Sequence, residues 1–141
     1  MTPTIDRMNF RSGLERTVAS QIISAGLPLR YEDEKIRYLK PAKTALYNPD
    51  FWLAKKDGTP MVIEAKGRFL TADRQKHLLI RDQYPDLDLR LVFQNAHAKI
   101  SKASKTTYAI WCDHKGFKWA DKSRIPKEWL EECITSKPRV H

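Results

Sequence analysis

The segment DFWLAKKDGTPMVIEAKG, residues 50–67, predicts a β-hairpin that ends in charged side chains. Apolar residues flank KKDGTP, and the Asp-Gly pair within it is typical of a tight turn between strands. The second strand ends in Glu64 and Lys66, which lie two positions apart and therefore share one face. Either this end of the strand is solvated, or the acid and the base are there for chemistry.

The length of the hairpin loop decides whether Asp50 joins Glu64 on that face. A two-residue loop would shift the pairing by one residue and place Glu64 on the opposite face. A three-residue loop at 56–58, with Gly58 in the left-handed conformation, pairs Asp50 with Glu64 instead. Because Gly favours the last position of such a loop, we predict the second register. Asp50, Glu64 and Lys66 then lie on one face of the sheet.

Two carboxylates that face each other across a strand pair need a cation between them. Their side chains would lie roughly 5 Å apart, and their repulsion would raise a pKa unless a positive charge joined them. Mg²⁺ suits this position, since it binds one or two carboxylates together with waters and phosphate oxygens. It would orient a phosphodiester and acidify a water, while Lys66 would hold that water or stabilise the developing negative charge. The hairpin therefore predicts a magnesium-dependent phosphodiesterase.

The net charge indicates a polyanionic partner. Lys and Arg number 26 against 17 Asp and Glu, which gives +9. Such an excess on a small domain most often accompanies nucleic-acid binding, although a merely soluble basic protein has it too. Because the basic residues are spread through the chain, we expect a folded basic surface. The candidate contacts to DNA phosphates are Arg74, Lys76, Arg81, Lys99, Lys102 and Lys105.

The apolar pattern predicts one domain, residues 1–141, of the α/β class, in which helices flank a mixed sheet. A chain of 141 residues has room for a single core. Segment 29–39 is typical of extended structure, and 40–49, with two prolines and no clear periodicity, is interpreted as a linker or bridge. Predicted helices cover 12–26, 71–85, 106–116 and 125–134, and a predicted strand covers 87–93.

The remaining composition indicates an ordinary intracellular protein. The first residues lack the apolar stretch of a signal peptide, and no apolar run is long enough to cross a membrane. We therefore expect a cytoplasmic protein with no membrane partner and no small-molecule cofactor. Cys112 and Cys133 are interpreted as reduced thiols rather than zinc ligands. His77 and His114 are interpreted as surface or half-buried residues rather than phosphate contacts or proton carriers.

Two interpretations of Glu15 remain open from the residues alone. Ser12 and Glu15 have the spacing of a capping box, in which Ser12 accepts a helix amide and Glu15 reaches back to the amide of the cap. The alternative is that Glu15 binds a metal. The capping pattern is sufficient to explain this residue, and the physics of the pattern favours it.

Two resemblances add to these interpretations. Pro49-Asp50 and Glu64-Ala65-Lys66 resemble the core of the PD-(D/E)xK nucleases, which have a restriction-endonuclease-like fold. Nearly the whole chain also resembles phage endonuclease I. The segments that carry this second resemblance are FRSGLE (10–15), NPDF (48–51), IEAKG (63–67), DRQKHLLIRDQYPDLDLRLVF (73–93), TTYAIWCDHKGFKWADK (106–122) and IPKEWL (125–130).

The longer resemblance implies an endonuclease that resolves four-way (Holliday) DNA junctions. It implies Mg²⁺ or Mn²⁺ as the cofactor, with two ions in each active site. It also implies an intertwined, domain-swapped homodimer with two composite sites, in which the segment around 40–49 bridges the swapped halves.

The same resemblance implies a role for each motif residue. Glu15, reaching the site from the second chain, would be a catalytic acid and a ligand of the second metal. Asp50 would bridge the metals. Glu64 and the carbonyl of Ala65 would bind one of them, and Lys66 would be the catalytic lysine.

Two other functions also fit the residues. One is a sequence-specific or mismatch-directed nuclease on the same core, and the other is a branched-DNA-binding protein without activity. The second is disfavoured, because a protein that only binds DNA has no use for paired carboxylates that face phosphate. The hairpin tip between Asp50 and Glu64 looks longer than the resemblance leads us to expect, so its shape is expected to differ.

Overall fold

The computed structural model describes residues 9–40 and 43–135, which form a mixed sheet flanked by helices. The helices are α1 (Gly13–Ser24), α2 (Thr71–Gln83), α3 (Tyr108–Lys115) and α4 (Lys127–Glu131). The strands are β1 (Ile36–Lys40), β2 (Lys43–Tyr47), β3 (Phe51–Ala54), β4 (Pro60–Lys66), β5 (Asp88–Phe93) and β6 (Lys118–Ala120). The predicted α/β architecture is confirmed. Within the described ranges, no helix is both long and apolar enough to cross a bilayer.

The main sheet has the order β3-β4-β5-β6. β3 runs antiparallel to β4, as expected for a hairpin, whereas β5 runs parallel to β4 and β6 runs parallel to β5. Parallel neighbours need a crossover connection, and α2 and α3 lie in those two connections. β1 and β2 form a separate antiparallel hairpin.

Apolar side chains cover both faces of the main sheet. On one face, Phe69, Phe93 and Trp111 belong to a cluster that also includes Tyr38 and Tyr47 of the separate hairpin. On the other face, buried residues of α1 pack against β3 and β4. The molecule therefore has three layers. A sheet buried on both faces needs strands that are continuously apolar, which explains the runs MVI and LVF.

The predicted register of the β3–β4 hairpin is confirmed. Phe51 pairs with Ile63 and Ala54 pairs with Pro60, so the ladder continues to Asp50 opposite Glu64. At the tip, the Lys55 N–H donates to the Thr59 carbonyl at 2.9 Å. Gly58 closes the three-residue loop with φ of +88°, in the left-handed region that Gly adopts without steric cost.

Most predicted helices and the predicted strand are confirmed, with small differences at their ends. Gly116 ends α3 with φ of +78°, as a C-terminal glycine does. The predicted helix over 125–134 is too long, since α4 ends at Glu131. The residues that follow instead join the hairpin, where Cys133 bridges Lys55 and the Ile134 N–H donates to the Ala54 carbonyl at 2.8 Å.

The segment interpreted as a linker contains a regular strand. Residues 43–47 form β2, and its Ala45 lies opposite the buried Tyr38 of β1. Ala45, Leu46 and Tyr47 are consecutive rather than alternating apolar residues, and Leu46 is 56% exposed, so the sequence showed no period of two. Residues 41–42 lie outside the described ranges, and the bridge between two chains stays a prediction.

A buried arginine fastens the C-terminal segment to the sheet. Arg90 is 1% exposed, and its guanidinium donates to Asp88 at 2.8 Å and to Glu132 at 2.6 and 2.8 Å. Its charge also lies 5.3 Å from the ring centroid of Trp129. These contacts satisfy the buried charge of Arg90, and Asp88 also pairs with Lys55 at 2.9 Å.

Replacing Arg90 should therefore destabilise the fold. Arg90→Met keeps much of the apolar stem but removes both hydrogen-bonded ion pairs of the guanidinium, leaving Asp88 with Lys55 alone. We expect a loss of about 3 kcal/mol in the free energy of unfolding, measured by urea denaturation. The matched control is Lys127→Met, which removes an exposed pair with Glu131 and should cost less than about 0.5 kcal/mol. Equal losses in the two variants would contradict a special role for Arg90.

Candidate active site

The hairpin register brings the predicted acids together at one end of the sheet. Asp50 immediately precedes β3, and Glu64 and Lys66 end β4 on the strand beside it. Asp50 is 2% exposed and Glu64 is 5% exposed. A solvated strand end is therefore excluded as the explanation for these side chains, because both carboxylates are buried.

Asp50 is held on both of its oxygens. Its Oδ2 accepts the Ala65 N–H at 2.9 Å, and its Oδ1 accepts a guanidinium N–H of Arg11 at 2.9 Å. Burial and the neighbouring charge of Glu64 nevertheless raise the pKa of Asp50 to about 8. The pair of acids therefore retains a proton near neutral pH.

Glu64 and Lys66 have partners that the sequence analysis did not identify. The Tyr47 hydroxyl donates to Glu64 Oε1 at 2.7 Å. Lys66 Nζ lies 3.5 Å from Glu64 Oε2 and 3.3 Å from Asp73 Oδ1. Burial lowers the pKa of Lys66, but these two carboxylates outweigh it, and the net effect is a raised pKa. Lys66 is therefore a fixed positive charge beside the acid pair.

Glu15 lies in the first turn of α1. The capping pattern accounts for its backbone contact but not for its side-chain contacts. Ser12 Oγ accepts the Glu15 N–H at 3.2 Å, which confirms Ser12 as the cap. The Glu15 carboxylate, however, accepts Arg11 at 3.0 Å and the Tyr31 hydroxyl at 2.9 Å. Burial alone would raise the pKa of Glu15, but the hydrogen bonds from Arg11 and Tyr31 have the larger effect. The pKa of Glu15 is therefore lowered. The side chain faces Asp50 through their shared partner Arg11.

A single chain is sufficient to bring Glu15 to this place. The resemblance implied that Glu15 reaches the site from a second chain, whereas here it joins Asp50 of its own chain through Arg11. An exchange of identical segments between two chains would produce the same contacts. The domain swap accordingly stays a prediction.

The oxygen atoms at the site fit a hard divalent cation. Glu15 Oε1 is buried and has no hydrogen-bond partner among the described residues. The carbonyl of Ala65 points the same way as its own N–H, toward Asp50, because both groups of a strand residue face one side. Mg²⁺ and Mn²⁺ favour carboxylate and carbonyl oxygens of this kind. Within residues 9–40 and 43–135, no group of three or more acid, imidazole or thiolate side chains is arranged so that it could hold a metal ion by itself.

Comparison with known proteins matches this chain to a family. Residues 3–140 match the family described as phage endonuclease I. The chain is 45% identical over 123 residues to Endonuclease I of Escherichia phage T7, covering 87% of this chain and 79% of the relative. It is 46% identical over 123 residues to Endodeoxyribonuclease 1 of Enterobacteria phage T3, covering 87% and 78%.

The chain belongs to the phage endonuclease I family. The resemblance drawn from the motifs is thereby confirmed over almost the entire sequence. Asp50, Glu64 and Lys66, which the strand pattern singled out, therefore lie in the scaffold of a nuclease family.

The predicted DNA contacts lie at different distances from the carboxylates. Lys76 of α2 lies over the ring of Tyr47, 4.9 Å from its centroid, and burial lowers its pKa. Arg74 donates to the Phe69 carbonyl at 2.6 Å. Arg81 instead packs on Phe117 at the far end of α2, away from the acid pair. Three exposed lysines occupy the loop after β5, namely Lys99, Lys102 and Lys105.

His77 was expected to be a surface or half-buried residue, and this expectation is wrong. It is fully buried, with the rings of Tyr47 and Phe69 at 5.5 and 6.2 Å. Neither ring nitrogen has a hydrogen-bond partner among the described residues. Burial, and then Lys66, lower its pKa well below the ordinary value, so His77 is neutral. His114 is exposed, in agreement with the prediction.

Some residues of the site were not identified from the sequence, and each of them forms a hydrogen bond with a predicted site residue. They are Arg11, Tyr31, Tyr47 and Asp73. Arg11 and Tyr47 lie in or beside the motif segments FRSGLE and NPDF, and this proximity was the available signal. Tyr31 carried no pattern that separates it from an ordinary surface residue, and Asp73, although it begins the motif segment 73–93, gave no sign of a contact with Lys66.

Replacing Tyr47 should test whether its hydroxyl holds Glu64. Tyr47→Phe keeps the packing but removes a buried hydrogen bond to a carboxylate, so we expect a loss of about 1–2 kcal/mol in the free energy of unfolding. Urea denaturation provides the measurement. Tyr38→Phe is the control, because Tyr38 is also buried in the same hairpin and has no contact with Glu64. A Tyr47 loss no larger than the Tyr38 loss would contradict this role.

Proposed function

We propose that this protein is a structure-selective endodeoxyribonuclease that resolves four-way (Holliday) and other branched DNA junctions. The observation that carries the chemistry is the buried pair of Asp50 and Glu64 with the cationic Lys66 beside it. Membership of the phage endonuclease I family supports the endonuclease activity, and both relatives compared are named as endonucleases. The large excess of positive charge suits a DNA substrate.

The proposed cofactor is Mg²⁺ or Mn²⁺, with two ions in each active site. When bound, such ions orient the phosphodiester, offset its charge and acidify a water. Asp50, Glu64 and the Ala65 carbonyl would hold one ion, and Glu15 with Asp50 would hold the other. The orphaned Glu15 Oε1 supports this assignment, since a buried oxygen without a partner is costly unless a cation or water meets it.

The chain's own residues prepare the site for this chemistry. Tyr47 orients Glu64, and Asp73 helps to keep Lys66 in position. The charge on Lys66 then offsets negative charge that develops on the phosphate during attack. Because the acids are buried, their interactions with this charge are stronger than they would be in water.

Selectivity for junctions requires more than the acid pair. We propose that two chains form a homodimer, exchanging segments through a bridge around residues 40–49, so that two sites face two strands of a branched DNA. Basic residues then bind phosphates without reading sequence, and selectivity depends on the shape of the DNA. The position of β2 is consistent with this arrangement, because Tyr47 at its end touches Glu64 directly.

A synthetic four-way junction and its matching linear duplex separate the candidate functions. With Mg²⁺ we expect cutting of the junction and little cutting of the duplex. Lys66→Ala and Glu15→Gln should lower the rate by about 10²-fold or more, since each removes a charge that acts on the reacting phosphate or metal. Junction binding in the absence of metal should persist. The control Lys127→Ala alters an exposed pair on α4 and should cut at the wild-type rate.

Each alternative has its own outcome in this experiment. Equal cutting of junction and duplex would contradict junction selectivity and favour a nuclease with another target. Binding without cutting in the wild type would favour a non-catalytic protein. A Glu15→Gln variant that cuts normally but unfolds more easily would limit Glu15 to a structural role.

The raised pKa of Asp50 gives a prediction about metal binding. At pH 7 the Asp50 carboxyl, with a pKa of about 8, is mostly protonated, and a metal ligand must lose that proton. We expect Mn²⁺ binding at pH 7 to release about one proton per chain and to tighten as the pH rises toward 8. Calorimetric titration in two buffers of different ionisation enthalpy measures the release. Binding without proton release would contradict this assignment.

A further inference from the structure

One nitrogen of Arg11 contacts three carboxylates at once. Its Nη2 lies 3.0 Å from Glu15 Oε2, 3.0 Å from Glu32 Oε1 and 2.9 Å from Asp50 Oδ1. These acids come from α1, from the connection before β1 and from the start of β3. A single guanidinium therefore offsets the repulsion between acids that the fold brings together from three segments.

The arginine and the acids differ sharply in their exposure. The Arg11 side chain is 65% exposed, whereas the side chains of Glu15 and Asp50 are 6% and 2% exposed. Arg11 could therefore leave without opening the core, while the two acids could not. The cation is therefore far more accessible to solvent than the two acids that it pairs with.

Glu15 and Asp50 each have a hydrogen-bond partner besides Arg11. Glu15 Oε2 still accepts the Tyr31 hydroxyl at 2.9 Å, and Asp50 Oδ2 still accepts the Ala65 N–H at 2.9 Å. Arg11 is thus not required to orient them. What it supplies is positive charge on the same two carboxylates, through Glu15 Oε2 and Asp50 Oδ1, that a divalent ion between Glu15 and Asp50 would use.

We propose that Arg11 is a resident counter-ion of the metal-free site and exchanges partners when a divalent ion binds. In the metal-free protein it stabilises the Glu15 carboxylate by its charge and contacts Asp50. When an ion binds these two side chains, the guanidinium is displaced and is free to bind a phosphate of the DNA. This inference rests on the proposed metal site and adds a residue to which that proposal gave no role.

An ordinary salt bridge predicts a different result. If Arg11 served stability alone, its removal would weaken the fold and leave metal affinity unchanged or reduced. If it competes with the ion, its removal must strengthen metal binding. The direction of the change in metal affinity therefore distinguishes the two roles.

The experiment is a calorimetric titration of the metal-free protein with Mn²⁺ alone. We expect Arg11→Gln to bind Mn²⁺ roughly three- to tenfold more tightly, the range set by ion pairs that no longer have to be broken. Arg11→Lys retains the charge and should lie between Arg11→Gln and wild type. The matched control is Arg30→Gln, because Arg30 also pairs with two acids, Asp33 at 2.7 Å and Glu34 at 2.5 Å, outside the site. Its Mn²⁺ affinity should equal that of wild type.

A second measurement tests the destination of the guanidinium. With Ca²⁺ replacing Mg²⁺ to limit cutting, Arg11→Gln should bind a four-way junction more weakly. The slope of its log affinity against log salt should fall by about 1, as expected for one lost phosphate contact. Arg30→Gln should retain the wild-type slope.

The outcomes separate this inference from the proposed function. Unchanged or weaker Mn²⁺ binding by folded Arg11→Gln would overturn the exchange. If that variant does not fold, wild-type affinity in Arg11→Lys overturns it instead. An unchanged salt slope would overturn the phosphate contact. If neither the wild type nor any variant binds Mn²⁺, the proposed metal site itself is contradicted.

Discussion

The pairing of Asp50 with Glu64 is the constraint on which the rest of the site depends. It follows from a three-residue loop closed by Gly58, and one residue more or fewer would turn Glu64 to the other face. The pairing also places two carboxylates in a buried position, where like charges are costly. The groups that surround the two carboxylates offset this cost.

Two nearby cations, a neutral hydrogen-bond donor and a retained proton stabilise the acids. Lys66 and Arg11 bring positive charge from the strand and from the segment before α1. Tyr47 donates to Glu64 without adding charge, and Asp50 holds a proton at neutral pH because its pKa is raised to about 8. In the function that we propose, a divalent ion would take over the positive charge that Arg11 and this proton supply at the acids.

The sequence predicted elements correctly where the local pattern is strong. It did not predict contacts between residues that are distant along the chain. The hairpin register, α1, α2 and β5 follow from turn chemistry and apolar periodicity within short windows. β2 was missed because its apolar residues are consecutive and its Leu46 is exposed, so no alternation marks it as a strand. His77 was misjudged, since one polar residue on a helix gives no sign that Tyr47 and Phe69 will enclose it. Glu15 remained ambiguous because the same carboxylate satisfies a capping pattern.

The sequence by itself determined that Asp50, Glu64 and Lys66 share one face, and its motifs determined the family. These conclusions need only strand alternation, loop length and the order of residues. The tertiary structure decided what each acid meets, since Arg11, Tyr47 and Asp73 reach the site from segments whose approach depends on packing. It also decided how the acids are charged, because burial sets a pKa as much as residue type does. A contact between separate elements has no period in the sequence, so only the folded chain reveals it.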